Sequence, residues 1–257
     1  MVTLMKELFI DASLGIAGDM LTAALLALTD DESEAIGKLN ALGIPKLNFE
    51  LEKVKPYGIS GNRVHVTYDG IEEGHGEHQH EHHGHPHSHM HAADVNAIIN
   101  SLDMSERARE RALATYRAIA EAEAMVHGEP MDHIHFHEVG SMDAIADVCA
   151  VCCLIDFLGV EHITVSPVRT GYGQVRCAHG MLPVPAPATA LLLRGMPSFA
   201  GDIEGEMCTP TGVALLKTLA DDYGRAPAMV TEKLGYGMGM KDFGQLTCTR
   251  VTLGQQI

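Results

Sequence analysis

Apolar residues recur along this chain with two different periods. A helical period covers residues 19–28, 32–42, 92–101, 103–125, 142–158 and 209–220. Strand-like apolar runs cover residues 8–11, 133–137, 162–168 and 246–253. Apolar and polar residues also alternate over 47–54 and 60–68, on either side of a short polar segment, which predicts a β-hairpin. Helices and strands thus follow one another along the chain, as in an α/β protein.

The run at 133–137, the helix at 142–158 and the run at 162–168 stand in the order strand, helix, strand. A helical connection of this length joins two parallel strands, so these segments predict a βαβ unit. The expected fold class is α/β, with a mixed sheet that contains at least one βαβ unit and, in addition, the β-hairpin.

Residues 71–91 interrupt these patterns with a segment rich in Gly, Glu and His that has no apolar period. Such a composition predicts a flexible, solvated His-rich insert. We therefore expect an N-terminal α/β part with the hairpin at 1–70, the insert at 71–91, and an α/β part at 92–257 that carries the candidate metal and substrate site.

Composition and charge restrict the possible partners and the location of the protein. The formal charge of −16 disfavours nucleic acids and anionic membranes as partners and favours cations. Three of the six cysteines lie within the apolar helix at 142–158, which predicts reduced, buried thiols. The first ten residues lack the basic segment and continuous apolar core of a signal peptide, and no apolar run reaches the roughly 18–20 residues of a membrane span. We expect a cytoplasmic, soluble protein.

Nine of the 16 histidines lie in the insert or at its end. They are His75, His78, His80, His82, His83, His85, His87, His89 and His91. Neutral imidazole is a good ligand for nickel, copper, zinc and cobalt, and a mobile loop can wrap around the ion, so these residues predict metal capture and delivery. The alternative is a solvated linker that binds metals only incidentally.

A second group, His133, His135 and His137, has the spacing of one strand face. Alternation would place the three imidazoles about 6–7 Å apart on one side of a strand, as an open metal site or a row for proton transfer. The alternative is that one or two of them only pack and form hydrogen bonds at the end of a strand.

Carboxylates follow this second group closely. Glu138 is adjacent to it, and Asp143 and Asp147 lie one turn apart on the next helix. Carboxylates at such positions can orient imidazoles or complete the coordination of a metal. As an alternative, the two aspartates are ordinary residues at the start of a helix.

Two segments have the pattern of anion sites at helix starts. The first follows a strand and opens a helix, with Asp11, Gly15, Gly18 and Asp19 as its candidate binding residues. The second has Thr209 before a proline, followed by Thr211 and Gly212, which leaves amides free at a helix start. Ordinary helix capping explains the second segment equally well.

Two glycine-rich segments contain a tyrosine. The glycines at 171–173 and 235–239 allow close approach of a backbone, and Tyr172 or Tyr236 can stack on a planar ligand. Two turns explain the same glycines without any ligand.

Taken together, these motifs resemble the LarC family in order and spacing, over nearly the whole chain. They are DASLGIAGDM at 11–20, the His-rich insert, HIHFHEVGSMDAIAD at 133–147, GMLPVPAP at 180–187, CTPTG at 208–212 and GYGMG at 235–239. The resemblance implies a nickel chelatase, a metal-inserting lyase that places Ni(II) into pyridinium-3,5-bisthiocarboxylic acid mononucleotide. Its product is the nickel-pincer nucleotide cofactor of lactate racemase.

The resemblance covers the N-terminal portion of the family, whose members commonly continue further. It therefore implies a C-terminal portion as partner, with CTP and a divalent metal bound there rather than on this chain. Lactate racemase and a second copy of this chain are further candidate partners.

Formation of the nickel–carbon bond in this reaction requires the loss of a ring proton, so a base is needed near the metal. An imidazole of His133, His135 or His137 can hold nickel and accept that proton, and Glu138, Asp143 and Asp147 complete the expected catalytic set. Two other functions remain open: a nickel metallochaperone or store without chemistry of its own, and a zinc- or manganese-dependent hydrolase that uses residues 133–147.

Overall fold

The computed structural model describes residues 5–69, 71–72, 90–136, 139–177 and 179–257, with the backbone alone at 71–72. The helices are α1 (Gly18–Leu26), α2 (Glu32–Asn40), α3 (Ala92–Ser101), α4 (Glu106–His127), α5 (Met142–Phe157), α6 (Pro187–Leu192) and α7 (Pro210–Leu219). Short 3-10 helices lie at Pro56–Gly58 and Met131–His133. The predicted helices are thus confirmed, with small differences at their ends.

The main sheet has strands from both halves of the chain. Its strands are β1 (Lys6–Leu14), β2 (Leu47–Val54), β3 (Gly61–Tyr68), β4 (Ile71–Glu72), β7 (His162–Val165), β14 (Asp222–Tyr223), β15 (Met229–Met238) and β16 (Cys248–Gln256). The order is β14-β7-β1-β16-β15-β3-β2, and β4 pairs with β3. The remaining strands, in two-stranded pairings, are β5 (Met90–His91), β6 (His135–Phe136), β8 (Val168–Arg169), β9 (Gly171–Tyr172), β10 (Gln174–Cys177), β11 (Gly180–Pro183), β12 (Ser198–Phe199) and β13 (Gly205–Glu206).

This sheet is mixed, as the sequence predicts. The hairpin of β2 and β3 is antiparallel over its whole length. Strands β1 and β7 are parallel, as are β7 and β14, and helices α6 and α7 lie between β7 and β14 in the chain. The expected α/β class with a βαβ unit and a hairpin is therefore confirmed.

The βαβ unit is not the one that the sequence suggested. In the described part of the segment 133–137, β6 covers His135–Phe136 and pairs antiparallel with β5, not with the main sheet. His133 lies in a 3-10 helix just before it. The turn of that helix follows Pro130, whose ring fixes the backbone near φ −59°.

Strand β15 contains Gly235 and Gly237, two of the glycines at 235–239. Gly235 and Gly237 lie on the face of β15 that α1 covers, and a Cβ atom on Gly237 would overlap the carbonyl oxygen of Met20. The predicted close approach of a backbone is confirmed at Gly235 and Gly237, where a helix backbone lies directly against the strand, and the alternative of turns does not apply to them. Tyr236, between them, points to the opposite face of the sheet.

The hydrophobic core lies between the sheet and α1, α4, α5 and α7. It includes Leu8 and Ile10 of β1, Leu21 and Leu25 of α1, and almost all of the apolar residues of α5. Helix α5 is therefore buried nearly all around, which explains why its sequence is apolar on every face. No helix in the described part of the chain is long and apolar enough to cross a bilayer.

Candidate functional site

The first turn of α1 lies directly against the side chain of Asp147. A Cβ atom on Gly18 would be 2.6 Å from Cβ and 2.7 Å from Oδ2 of Asp147, so only glycine fits here without a shift. The backbone N–H of Asp19 donates a hydrogen bond to the Asp147 carboxyl group. The structure thus brings together two predicted motifs, DASLGIAGDM and the start of α5, that are far apart in the chain.

Asp147 is an unusual carboxyl group. Burial, and then the neighbouring charges of Asp19 and Asp143, raise its pKa well above the ordinary value. Its Oδ1 is buried and has no hydrogen-bond partner among the described residues. Unpaired buried oxygens are rare in folded proteins, and a raised pKa beside other carboxylates is typical of functional sites.

The two predicted anion segments lie side by side. Ile16 donates a backbone hydrogen bond to Met207 at 2.9 Å, and Thr209 donates one back to the Ile16 carbonyl oxygen at 3.0 Å. The start of α7 therefore contacts the loop that leads into α1. Gly15 of this loop is held from the other side, because the hydroxyl of Thr249 donates to its carbonyl oxygen at 3.0 Å.

Helix capping accounts for part of the second segment. The hydroxyl of Thr209 accepts from the amide of Gly212 at 3.2 Å, and it lies 3.1 Å from the hydroxyl of Thr211. This is the alternative that the sequence left open, and it uses one of the amides at the start of α7. In contrast, the side chain of Ala17, the N-cap residue of α1, offers no capping group.

A pair of histidines lies on β5 and β6, before α5 in the chain. His91 of β5 and His135 of β6 are opposite each other in the register, and their ring centroids are 4.0 Å apart. The side chain of His135 is exposed, whereas the neighbouring Ile134 and Phe136 are buried. The pair thus joins the end of the His-rich insert to the second histidine group.

The structure corrects the predicted row of three imidazoles on one strand. His133 is exposed in its 3-10 helix, and His135 faces His91 rather than two other histidines of its own strand. His137 and Glu138 lie outside the described residues, as do the eight insert histidines from His75 to His89. Asp143 lies in the first turn of α5, where its Oδ1 accepts from the amide of Ala144 at 2.9 Å.

Tyr116 of α4 contacts β6 and the segment before α5, and no motif in the sequence pointed to it. Its ring packs edge-on against Phe136 with centroids 5.9 Å apart, and its hydroxyl donates to the carbonyl oxygen of Val139 at 3.1 Å. Burial above all raises its pKa well above the ordinary value, and Cys149, Asp143 and Asp147 add to the shift. A single tyrosine within an Ala-rich helix was the available signal.

Asp11 belongs to a different surface from Asp19. Its Oδ1 accepts from the amide of Ser13 at 3.0 Å, and its Oδ2 contacts a guanidinium nitrogen of Arg250 at 2.5 Å. Asp11 is one of the residues that line a cavity of about 350 Å³ beside Tyr236. The motif DASLGIAGDM therefore contributes Asp11 to the cavity beside Tyr236 and Asp19 to the contact with Asp147.

Metal ligands are few in what the structure describes. Within the described ranges, no three His, Cys, Asp or Glu side chains are close enough together to hold a metal ion. Burial raises the pKa of Cys153 and Cys208 to about 12 and that of Cys248 to about 11, so these thiols stay protonated at neutral pH. All six cysteines are free of disulfide bonds.

Comparison with known proteins identifies the family. A sequence model described as nickel insertion protein matches residues 8–257. The chain belongs to the nickel insertion protein family. Its relatives include pyridinium-3,5-bisthiocarboxylic acid mononucleotide nickel insertion proteins of Clostridium kluyveri, 39% identical over 98% of this chain and 63% of the relative, and of Desulfitobacterium hafniense, 37% identical over 98% and 59%.

A further relative, from Geotalea uraniireducens, is 41% identical over 98% of this chain and 62% of its own length. The chain thus spans about three fifths of the length of these relatives. No solved structure matches it. Membership of the family confirms the resemblance on which the sequence interpretation relied.

Proposed function

We propose that this chain is the metal- and substrate-binding part of a nickel insertase. Its substrates are Ni(II) and pyridinium-3,5-bisthiocarboxylic acid mononucleotide, and its product is the nickel-pincer nucleotide. The observation that carries the proposal is the family match over residues 8–257, together with relatives whose names state this substrate. The C-terminal portion of the longer relatives would supply CTP and its divalent metal, and lactate racemase would receive the cofactor in the cytoplasm.

Nickel binding in this proposal begins at the histidines. The insert histidines collect the ion, and His91 and His135 offer two imidazoles with ring centroids 4.0 Å apart at the end of the insert. His133 and His137 are the further imidazoles of this group. Nickel is a substrate here, so a transient site with few fixed ligands suits its function better than a closed structural site.

The nucleotide's phosphate is assigned to the converging loops. The helix starts of α1 and α7 contact each other through Ile16 and Thr209, and backbone amides at helix starts attract anions. Gly15 lies in the loop before α1, Gly18 begins α1, and Thr211 and Gly212 lie in the first turn of α7. This arrangement supports the phosphate assignment, although Thr209 itself caps α7.

Closing the nickel–carbon bond breaks a ring C–H bond, and the proton must pass to a base. An imidazole of the histidine group accepts it in this proposal, and Asp147 is a second acceptor in its ionised form. The raised pKa of Asp147 makes its carboxylate a stronger base than that of an ordinary aspartate, which supports this role. Asp143, one turn earlier, adds to this effect.

The test is an insertion assay that contains this chain, a C-terminal portion from a longer relative, the substrate, Ni(II) and CTP. Replacement of His133, His135 and His137 by Ala is expected to abolish formation of the nickel-loaded nucleotide. A variant with Ala at His65, a histidine bound to Glu52 on the hairpin, is the matched control and should keep full activity. Full activity of the triple variant would refute the assignment of the base.

Two further experiments separate the alternatives. Deletion of residues 73–89 leaves both strands of the β5 and β6 pair, so an insertase should recover most of its activity in excess nickel, whereas a metallochaperone should not. Elemental analysis after dialysis addresses the hydrolase, since one tightly held zinc ion per chain would favour that function.

A further inference from the structure

One row of polar side chains crosses three neighbouring strands on the face of the sheet that α1 does not cover. Asp11 of β1 is the register partner of Arg250 of β16, and Arg250 is the partner of Tyr236 of β15. All three side chains therefore point to the same face. Gly235 and Gly237, on either side of Tyr236, face α1 instead.

The row is fixed by hydrogen bonds. Both oxygens of Asp11 are engaged, Oδ1 by the amide of Ser13 and Oδ2 by Arg250. The hydroxyl of Tyr236 is a further partner of the Arg250 guanidinium. Asp11 and Tyr236 thus hold Arg250 in place, and a guanidinium has five N–H donors in total, more than these two contacts require.

A cavity of about 350 Å³ opens above this row. Its floor contains Asp11, Arg250 and Tyr236, and its apolar walls include Ile59 and Leu246. The volume is in the range of small-molecule sites, which combine apolar walls with a few oriented polar groups.

Two loops that form the walls are tied to each other. Ile59 follows the 3-10 turn between β2 and β3, and Leu246 belongs to the connection between β15 and β16. The hydroxyl of Tyr57, in the first loop, donates to Oδ1 of Asp242, in the second, at 2.5 Å. Arg63 of β3 also donates to the carbonyl oxygen of Gly239 at 3.2 Å. The cavity is therefore a built feature rather than a gap between independent loops.

We infer that this cavity binds a planar heteroaromatic ring with an anionic carboxylate or thiocarboxylate substituent. Tyr236 offers a ring for stacking, Ile59 and Leu246 enclose the apolar faces, and Arg250 forms charge-assisted hydrogen bonds to the anionic group. The choice of ligand rests on the proposed function, because the substrate named for the relatives is a pyridinium with two such groups.

This site also deepens the proposal for the nucleotide. Asp11, Ser13 and Leu14 line the cavity, and the next residues, Gly15 to Gly18, form the loop at the start of α1. The loop assigned to the phosphate is therefore continuous in sequence with the floor assigned to the ring. One substrate molecule would place its ring beside Asp11 and its phosphate beside the loop from Gly15 to Gly18.

The test measures binding of pyridine-3,5-dicarboxylate and of nicotinic acid mononucleotide to the chain by calorimetry, without nickel. Arg250→Gln and Tyr236→Ala are each expected to weaken binding about 10- to 100-fold, as the loss of a charge-assisted hydrogen bond or a stacked ring does. Leu234→Ala is the matched control, because Leu234 is exposed on the same face of β15 two residues away. Its affinity should equal that of the wild type.

Two additions keep the result decisive if Arg250→Gln fails to fold. Ile59→Trp changes an exposed side chain at the rim and should block binding without lowering the melting temperature. Cyclohexane-1,3-dicarboxylate has similar charges but no aromatic ring, and it should bind at least tenfold more weakly. Equal affinity for all variants, or for both ring types, would overturn the inference.

These outcomes are independent of the insertion assay. Loss of probe binding in the Tyr236 and Arg250 variants, with no insertion activity in any mixture, would keep the cavity as a binding site and refute the proposed function. Full insertion activity with wild-type substrate affinity in the Tyr236→Ala variant would support the proposed function and refute the cavity as the binding site of the ring.

Discussion

Replacement of Gly18 by Ala tests the contact that positions Asp147. The new Cβ atom would lie 2.6 Å from Cβ of Asp147, whereas nonbonded carbon atoms pack at about 3.5–4.0 Å. Helices α1 and α5 must therefore separate by about 1 Å, or Asp147 must leave its place beside the amide of Asp19. Gly37→Ala is the matched control, because Gly37 lies within α2 and a Cβ atom there would meet nothing within 4 Å.

The two opposing energies decide the sign of the effect. Overpacking costs about 1–3 kcal/mol, and the better helix propensity of Ala returns about 0.5–1 kcal/mol. We expect Gly18→Ala to lower the free energy of unfolding by about 1–2 kcal/mol, while Gly37→Ala raises it by about 0.5–1 kcal/mol.

Urea denaturation followed by circular dichroism measures both changes. At about 2–4 °C per kcal/mol for a chain of this size, Gly18→Ala should also lower the melting temperature by about 2–8 °C. The reasoning is refuted if Gly18→Ala is as stable as Gly37→Ala, because α1 would then not lie against Asp147 at this distance.

Three other predictions concern buried polar groups. Asp147→Asn should raise the free energy of unfolding at pH 7, because the raised pKa of Asp147 means that the folded state resists its ionisation. The gain in stability should shrink towards pH 4. A gain that stays the same from pH 7 to pH 4 would contradict this prediction. Cys177 should react first with a disulfide reagent in the native protein, followed much later by the deeply buried Cys149 and Cys152, and simultaneous reaction of all six thiols would argue against the fold. Glu7→Ala should lower the free energy of unfolding by about 3 kcal/mol in urea denaturation, because Glu7 is fully buried, accepts a hydrogen bond from Thr164 at 2.7 Å and contacts His162 at 2.8 Å. Its control is Glu34→Ala, at an exposed ion pair, which should change the free energy of unfolding by less than about 0.5 kcal/mol.

Local patterns predicted local structure well. The alternation at 47–54 and 60–68 produced the antiparallel hairpin, and the apolar run in α5 produced a fully buried helix. In both cases the side-chain period depends only on near neighbours, so it can be recognised in the sequence. The capping of α7 by Thr209 could also be recognised, because it involves only residues next to each other in the sequence.

Features that depend on distant partners were harder to predict. The glycines at 235 and 237 left close approach of a backbone and turns both open, because nothing in the local sequence shows that α1 lies against β15. Strand β6 pairs with β5 instead of entering the main sheet, and two short strands leave little pattern from which to choose a partner. The predicted strand is also too long at its start, because His133 lies in a 3-10 helix.

The candidate site shows both cases. The sequence named Gly18, Asp19, Asp143 and Asp147 as site residues, but their proximity depends on the packing of α1 on α5, across more than a hundred residues of chain. The row of Asp11, Arg250 and Tyr236 depends on the register of three strands, of which β15 was not predicted. Register is a property of the folded sheet as a whole.

The participation of this chain in nickel insertion can be tested directly. The most direct measurement is the yield of nickel-loaded nucleotide, determined by mass spectrometry, in a mixture of this chain, the C-terminal portion of a longer relative, pyridinium-3,5-bisthiocarboxylic acid mononucleotide, Ni(II) and CTP. The account predicts that the product forms in the full mixture and disappears when this chain is omitted. An equal yield without this chain would contradict it.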